Sequence, residues 1–435
     1  MNRLLNILFW SIISAAFIGP GTITTAASAG ARYQFALLWA LLFSTAACLI
    51  LQEASARITI VSEKNLGQAI RYQFHRRVER LLVISLVSGA IILGCAAYEA
   101  GNILGGVAGA LLAIPLSRSQ MTLLVGLLAG LLLWFGKTRR VAQFLGGLVG
   151  LMGIAFLSTA FSLKPSLAEL TRGALWPGFP AGSGLLVLGL IGTTVVPYNL
   201  FLGSGIARGS KLPEMRFGLS IAIILGGIIS MGVLVVGSAV QGEFSFEALS
   251  ATLAGALGGW AQFFFALGLF AAGFSSAITA PLAAAITARS LFERPDGLSW
   301  DEKGREFRGV WLGVLAVGVL FGLADIKPIP AIILAQALNG VLLPFVAVFL
   351  LIAVNDRSLM GDDAINGAVA NTLMSIVVSI TVVLGLSGIL RAGAAALGQS
   401  NPSPAALIWT SAGVIALLAL PVSKQIAHRR RFGTG

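Results

Sequence analysis

Long apolar runs recur along the whole chain, and short segments between them hold most of the charged residues. Each run is long enough to cross about 30 Å of hydrocarbon as an α-helix. The pattern predicts twelve membrane-spanning helices, at residues 5–32, 35–60, 81–114, 120–136, 141–163, 183–207, 217–240, 257–290, 309–323, 329–353, 365–390 and 405–423. We therefore expect an all-α integral membrane protein.

The composition agrees with this pattern. Of 435 residues, 57% are apolar and 11% are charged, whereas soluble domains average about 25% charged residues. This excludes a soluble globular enzyme and a disordered protein. The chain has no HExxH, GxSxG or P-loop sequence, so it gives no support to an intramembrane protease, a lipase or an ATP-driven pump. We expect no enzymatic activity and no cofactor.

The net charge of +12 has a one-sided distribution. If the N-terminus is cytoplasmic, 23 of the 29 Lys and Arg residues fall on the cytoplasmic side, as the positive-inside rule requires. The rule predicts a multi-pass protein of the cell (inner) membrane with both termini in the cytoplasm. The basic excess is then a topology signal, so the expected partner is the lipid bilayer and not nucleic acid. Arg429-Arg430-Arg431 is expected to be a solvated anchor.

Two spans contain helix-breaking residues at mid-depth. Span one contains Gly19-Pro20-Gly21, and the helix-breaking segment of span six runs from Gly189 to Asn199 and includes Gly192 and Pro197. Freed backbone groups are tolerated in a membrane only where they line a cavity or are buried in protein. Paired breaks in spans one and six are typical of an inverted-repeat transporter, with its substrate between the broken helices; two proline kinks without a site are the alternative. We expect a first repeat at 1–163, a second at 164–353, and two further helices with a basic tail at 354–435.

Several segments resemble the Nramp transporters, a family that usually carries divalent transition metals together with protons. The resemblance runs over roughly residues 10–390. Its motifs lie at 19–39, where Pro20-Gly21 and Trp39 match, and at Pro197-Tyr198-Asn199-Leu200, 272–279 and 336–345. It implies the LeuT-type fold, a 5+5 inverted repeat with about twelve transmembrane helices.

The chain departs from this family at the positions that match its metal ligands. The first-helix aspartate falls on Gly19 and its asparagine on Thr22, while the sixth-helix methionine and histidine fall on Val196 and Tyr198. Transition metals are selected by carboxylate, thioether or imidazole ligands. We therefore expect no transition-metal site.

The two breaks instead offer hydrogen-bond donors. They create the N-termini of two half-helices, near Thr22 and Tyr198, each with free amides and roughly +0.5 of a charge. A pocket without fixed negative charge is predicted to bind a small inorganic anion, and bicarbonate fits best. The predicted substrate-binding residues are Gly19, Pro20, Gly21, Thr22, Thr24, Thr193, Thr194, Val196, Pro197, Tyr198 and Gln336.

Inward movement of an anion against an inside-negative potential costs about 2.3 kcal/mol per 100 mV, so we expect a coupled cation. Ser275, Ser276 and Thr279 on span eight, facing the carbonyls of Phe17 and Ile18, resemble the sodium site of LeuT-type carriers. Small residues that allow close helix packing are the alternative explanation of the serines.

Glu99 is the other candidate for a coupling-ion residue. A carboxylate inside a membrane is a functional candidate by default, here as a proton or cation group. The alternative is a protonated structural carboxyl bonded to a neighbour such as Asn102.

Three other functions stay open. The first is an Nramp-like carrier of manganese or magnesium coupled to protons, and the second is a carrier of a neutral substrate. A passive channel is disfavoured because nothing resembles a selectivity filter. We expect the carrier to act as a monomer.

Overall fold

The computed structural model describes residues 10, 18–74, 77–135, 138–292, 300–324, 326–397 and 402–432, and the regular structure there is helical. The first half contains α1 (Pro20–Tyr33), α2 (Leu38–Ser62), α3 (Leu66–Tyr72), α4 (Arg77–Leu111), α5 (Arg118–Phe135), α6 (Thr138–Ser162) and α7 (Leu167–Leu175). The second half contains α8 (Gly184–Thr194), α9 (Pro197–Ile206), α10 (Leu212–Gly237), α11 (Phe246–Leu257), α12 (Trp260–Phe292), α13 (Arg305–Leu323), α14 (Pro328–Ala353), α15 (Arg357–Met360), α16 (Ala368–Ala396) and α17 (Pro404–Phe432).

Eleven spans in the described residues are long and apolar enough to cross a membrane. They match eleven of the twelve predicted spans, with ends that differ by a few residues. Of the remaining predicted span, 5–32, the structure describes mainly α1. The predicted division at 163/164 and 353/354 falls between helices, and its two-repeat interpretation stays a prediction.

Glycines bring the central helices into backbone contact. Gly106 on α4 faces Gly273 on α12, and a β-carbon on Gly273 would lie 2.8 Å from the Asn102 carbonyl oxygen. Likewise, a β-carbon on Gly340 of α14 would lie 2.6 Å from the Leu188 carbonyl oxygen on α8. Because a larger residue would force these helices apart, the glycines hold the walls around the two breaks close together.

At the predicted cytoplasmic end, a set of polar side chains ties the C-terminal helix to the rest of the bundle. Arg429 Nη1 donates to Asp356 Oδ2 at 2.6 Å, and its Nη2 donates to the Gln73 carbonyl at 2.8 Å. Arg430 donates to Asn355 Oδ1 and to the Asn366 carbonyl. We call this set the Asn/Arg network; its members are Arg57, Asn355, Asp356, Asn366, Asn371, Arg429 and Arg430.

The Asn/Arg network corrects the prediction that Arg429-Arg430-Arg431 is a solvated anchor. Only Arg431 is exposed, whereas Arg429 is 5% exposed. The prediction was wrong for Arg429 because a terminal run of arginines gives no sign of the buried carboxylate of Asp356, which lies 73 residues earlier in the chain.

Candidate functional site

The predicted break in span six is present, and the described part of span one has a helix that begins at the predicted break. In span six, α8 ends at Thr194 and α9 begins at Pro197. The two residues between these helices, Val195 and Val196, have non-helical backbone angles. Proline has no N–H to continue the preceding helix. In span one, α1 starts at Pro20 after an extended Gly19. Of the predicted coupling residues before this break, Ile18 is buried, and Phe17 lies outside the described residues.

The hydroxyl groups at the breaks are largely used by the protein itself. Thr22 Oγ1 and Thr193 Oγ1 form a hydrogen bond of 2.8 Å that joins α1 to α8, and both residues are buried. Thr194 Oγ1 donates to the Leu190 carbonyl of its own helix. The Tyr198 ring packs edge-on against Tyr98, with 5.4 Å between centroids. Three of the predicted donors are thus committed to protein partners.

Three oxygen atoms face the Cα of Gly19. A β-carbon on this residue would lie 3.2 Å from Ser276 Oγ, 3.7 Å from the Tyr98 hydroxyl and 4.0 Å from Asn102 Oδ1. We call the space between Gly19 and these three atoms the Gly19 pocket. Its residues are all buried, and neither Ser276 Oγ nor Asn102 Oδ1 has a hydrogen-bond partner.

Asn102 also connects this pocket to Glu99. Its Nδ2 donates to Glu99 Oε2 at 3.3 Å, while Glu99 Oε1 has no hydrogen-bond partner. The Glu99 side chain is fully buried, and Gly318 on α13 makes room for it, since a β-carbon there would lie 2.7 Å from Glu99 Cγ. Glu99 is therefore connected to the Gly19 pocket through a single side chain, that of Asn102.

Gln336 reaches the first turn of α1 from α14. Its Oε1 would lie 3.0 Å from a β-carbon on Gly21, has no hydrogen-bond partner and is buried. The structure thus places this predicted residue beside the break, with its amide group against Gly21 and its Nε2 nearer to Gly21 than its Oε1.

The predicted coupling residues on span eight separate into two groups. Ser275 donates to the Ala272 carbonyl and Thr279 to the Ser275 carbonyl, so both hydroxyls are bonded within α12. Ser276 alone faces the break in span one.

Tyr98 and Asn102 were not predicted as site residues. The signal was present, because both flank Glu99 within one helical turn of span three, and polar groups near an intramembrane carboxylate share its environment. What the sequence did not reveal is that Gly19 leaves the space into which they point.

The unpartnered atoms determine what the site attracts. Glu99 Oε1, Asn102 Oδ1 and Gln336 Oε1 are hydrogen-bond acceptors, and such oxygens are ligands of hard cations. No group of three or more His, Cys, Asp or Glu residues able to hold a metal occurs in the part of the chain that the structure describes. A cation bound here would therefore rely on amide and hydroxyl oxygens, with water completing its shell.

The natural resistance-associated macrophage protein-like family matches residues 11–391. A divalent metal cation transporter, MntH, from Verminephrobacter eiseniae is 29% identical over 304 residues, covering 65% of this chain and 67% of that protein. The metal transporter Nramp3 of Oryza sativa is 28% identical over 295 residues and 62% of this chain, which spans about half (53%) of its length.

Solved structures show the fold. The manganese transporter of Eremococcus coleocola, in complex with an aromatic bis-isothiourea substituted compound, has a TM-score of 0.72 at 21% identity, covering 99% of this chain and 95% of that one. Mhp1, a nucleobase-cation-symport-1 family transporter, has a TM-score of 0.58 at 16% identity, covering 97% and 92%. The predicted LeuT-type fold is confirmed.

These relatives overturn two predictions, the bicarbonate or other small-anion carrier and the sodium symport, since the matching proteins are divalent metal cation transporters. The physical reason lies in the balance of donors and acceptors. The prediction counted free hydroxyl donors, but Thr22 and Thr193 bond to each other. The hydroxyls of Thr24 and Tyr198 do lack partners, but so do the oxygens of Glu99, Asn102 and Gln336, which the prediction did not count as acceptors.

Proposed function

The chain belongs to the Nramp family, and we propose that within it this protein is a secondary carrier that moves a divalent metal cation across the membrane. One observation carries the proposal: acceptor oxygens of Glu99, Asn102 and Gln336 lie buried beside the helix breaks without hydrogen-bond partners. Burial of such groups without partners is costly, and a bound cation would satisfy them.

The donor set selects a hard cation. Gly19 stands where the family has a carboxylate, and Val196 stands where it has a thioether. Oxygen ligands favour Mg²⁺ and Mn²⁺ over softer metals, and Mg²⁺ in particular keeps several of its waters when protein ligands are few. The proposed substrate is thus a partly hydrated Mn²⁺ or Mg²⁺ ion, and this proposal replaces the expectation that the chain has no transition-metal site.

Protons are the proposed coupling ion, and Glu99 is their proposed binding group. This carboxyl is fully buried, has one hydrogen-bond partner and is connected to the site by Asn102. A cation arriving near Asn102 would favour ionisation of Glu99, because opposite charges attract strongly where water is excluded. Release of that proton would couple the two movements.

The remaining proposals concern the setting. The carrier is proposed to be a monomer in the cell membrane with both termini in the cytoplasm, as the distribution of Lys and Arg favours. An inside-negative potential would then drive uptake, since each elementary charge gains about 2.3 kcal/mol per 100 mV.

Uptake into proteoliposomes tests this function. Vesicles that contain purified full-length protein and a trapped metal-quenched dye should take up Mn²⁺ when an inside-negative potential is imposed, and excess external Mg²⁺ should compete. Protein-free vesicles are the control. Flux that does not exceed this control for either ion would refute the proposal, and flux that never saturates would indicate a channel.

A further inference from the structure

The Gly19 pocket contains an unexplained combination of space and unsatisfied atoms. Ser276 is 2% exposed and Asn102 is 1% exposed, yet neither Ser276 Oγ nor Asn102 Oδ1 has a hydrogen-bond partner. The two atoms come from different helices, α12 and α4, and face the same point beyond the Gly19 Cα. Most buried polar atoms have a partner, so two orphaned oxygens that converge point to a ligand.

The backbone of Gly19 does not require glycine. Its φ of −114° and ψ of −174° are extended values that any residue adopts. A β-carbon would, however, lie 3.2 Å from Ser276 Oγ, which is tighter than ordinary contact. What glycine contributes here is room next to the oxygens.

We infer that the divalent cation, directly or through one of its waters, binds in the Gly19 pocket with Asn102 Oδ1 and Ser276 Oγ as its main protein ligands. This inference rests on the proposed function and specifies its site. Both ligands are neutral oxygens from an amide and a hydroxyl, and the three atoms nearest to Gly19 among the described residues are all oxygens. Such a site suits Mn²⁺ or Mg²⁺ and disfavours softer metals.

Glu99 is a positioning residue in this arrangement. It accepts a hydrogen bond from Asn102 Nδ2, which turns the amide oxygen of Asn102 toward Gly19. Partners that orient a ligand in this way commonly change metal affinity by about 10- to 100-fold when they are removed.

Calorimetric binding of MnCl₂ and MgCl₂ to the purified full-length protein in detergent tests the site. Gly19→Ala fills the space, while Asn102→Ala and Ser276→Ala each remove one oxygen. We expect each variant to weaken Mn²⁺ binding, Asn102→Ala by roughly tenfold or more. Ser230→Ala is the matched control, since Ser230 is a buried serine on α10 whose hydroxyl is bonded to the Gly226 carbonyl. It should bind Mn²⁺ like the wild type.

Asn102→Asp gives an answer even if Asn102→Ala does not fold. It keeps the shape of the side chain and adds a negative charge at the same atom, so binding of Mn²⁺ should become tighter. Unchanged affinity in Asn102→Asp, or wild-type affinity in both Gly19→Ala and Ser276→Ala, would overturn the inference. These results differ from failure of the proposed function, in which the wild type itself neither binds nor transports a divalent cation.

Discussion

Two buried polar regions of this protein are built in opposite ways. In the Asn/Arg network, the side chains of Asn355, Asp356, Asn366 and Asn371 have both polar atoms hydrogen-bonded. In the Gly19 pocket, Asn102 Oδ1 and Ser276 Oγ have no partner. Asn355, Asp356 and Asn366 are as buried as Asn102 and Ser276, so exposure does not explain the difference.

Under the proposed function, the difference separates polar groups that hold the fold from polar groups that bind the cation. A satisfied buried network rigidifies the structure around it, whereas an unsatisfied group costs stability. The protein tolerates that cost at the breaks in spans one and six, where a transporter of this fold places its substrate. Substitutions in the two regions should therefore have opposite consequences for stability and transport.

The largest expected effect on stability is at Asp356. Asp356→Ala leaves the buried Arg429 without its carboxylate, and loss of one partner of a buried ion pair costs about 3–5 kcal/mol. The ion pair measures 2.6 Å between Arg429 Nη1 and Asp356 Oδ2. Thermal unfolding in detergent should shift down by several degrees or more, and a variant that melts like the wild type would contradict the role assigned to the network.

The matched control is Asp362→Ala, which breaks an exposed ion pair nearby. The hydrogen bond from Arg357 lowers the pKa of Asp362, so the pair is charged at neutral pH. Its side chains are 50% and 67% exposed, and exposed pairs contribute little. Asp362→Ala should melt like the wild type.

Glu99→Gln tests the proposed proton-binding group next to the Gly19 pocket. Gln is close in shape to Glu and is always neutral, so we expect only a small change in melting temperature. The proton-binding group is lost, however, and the dependence of Mn²⁺ uptake on external pH should flatten. Flux assays at several external pH values measure this, and a pH dependence identical to that of the wild type would exclude Glu99 as the coupling residue.

The smallest effect is expected at the hydrogen bond between Thr22 and Thr193, which joins α1 to α8. Thr22→Val leaves the Thr193 hydroxyl without its partner, which costs roughly 1–3 kcal/mol. Replacement of both threonines by valine should recover most of this loss, because two apolar groups of the same shape need no partner. Melting curves of the single and double variants measure the recovery. If the double variant also loses Mn²⁺ binding, Thr22 or Thr193 is a ligand and the pocket extends beyond Gly19.

Much of the fold follows from the order of residues. Apolar runs give the spans, and Pro197 after Gly192 gives the break in span six, because these features act locally along the chain. The helix Phe246–Leu257 follows equally from its own residues. Such local determinants do not depend on which helices become neighbours.

The site depends on which helices become neighbours, and the sequence is less informative about these contacts. Thr22 and Thr193 are 171 residues apart, and their hydrogen bond uses one of the hydroxyl protons on which the anion prediction relied. Gly19 was interpreted as a lost carboxylate, although its larger effect is to leave room for oxygens from α4 and α12. Distances between helices, which the sequence does not state, decide both points.

The most direct test of the cation site is the position of the ion itself. Crystals of the full-length protein grown with MnCl₂ should show, in an anomalous difference map at the manganese edge, one strong peak beside Gly19, in direct or single-water contact with Asn102 Oδ1 and Ser276 Oγ. A strong peak elsewhere between the broken helices would contradict this account. The absence of any peak would also contradict it, if the same protein is shown to bind Mn²⁺ in solution.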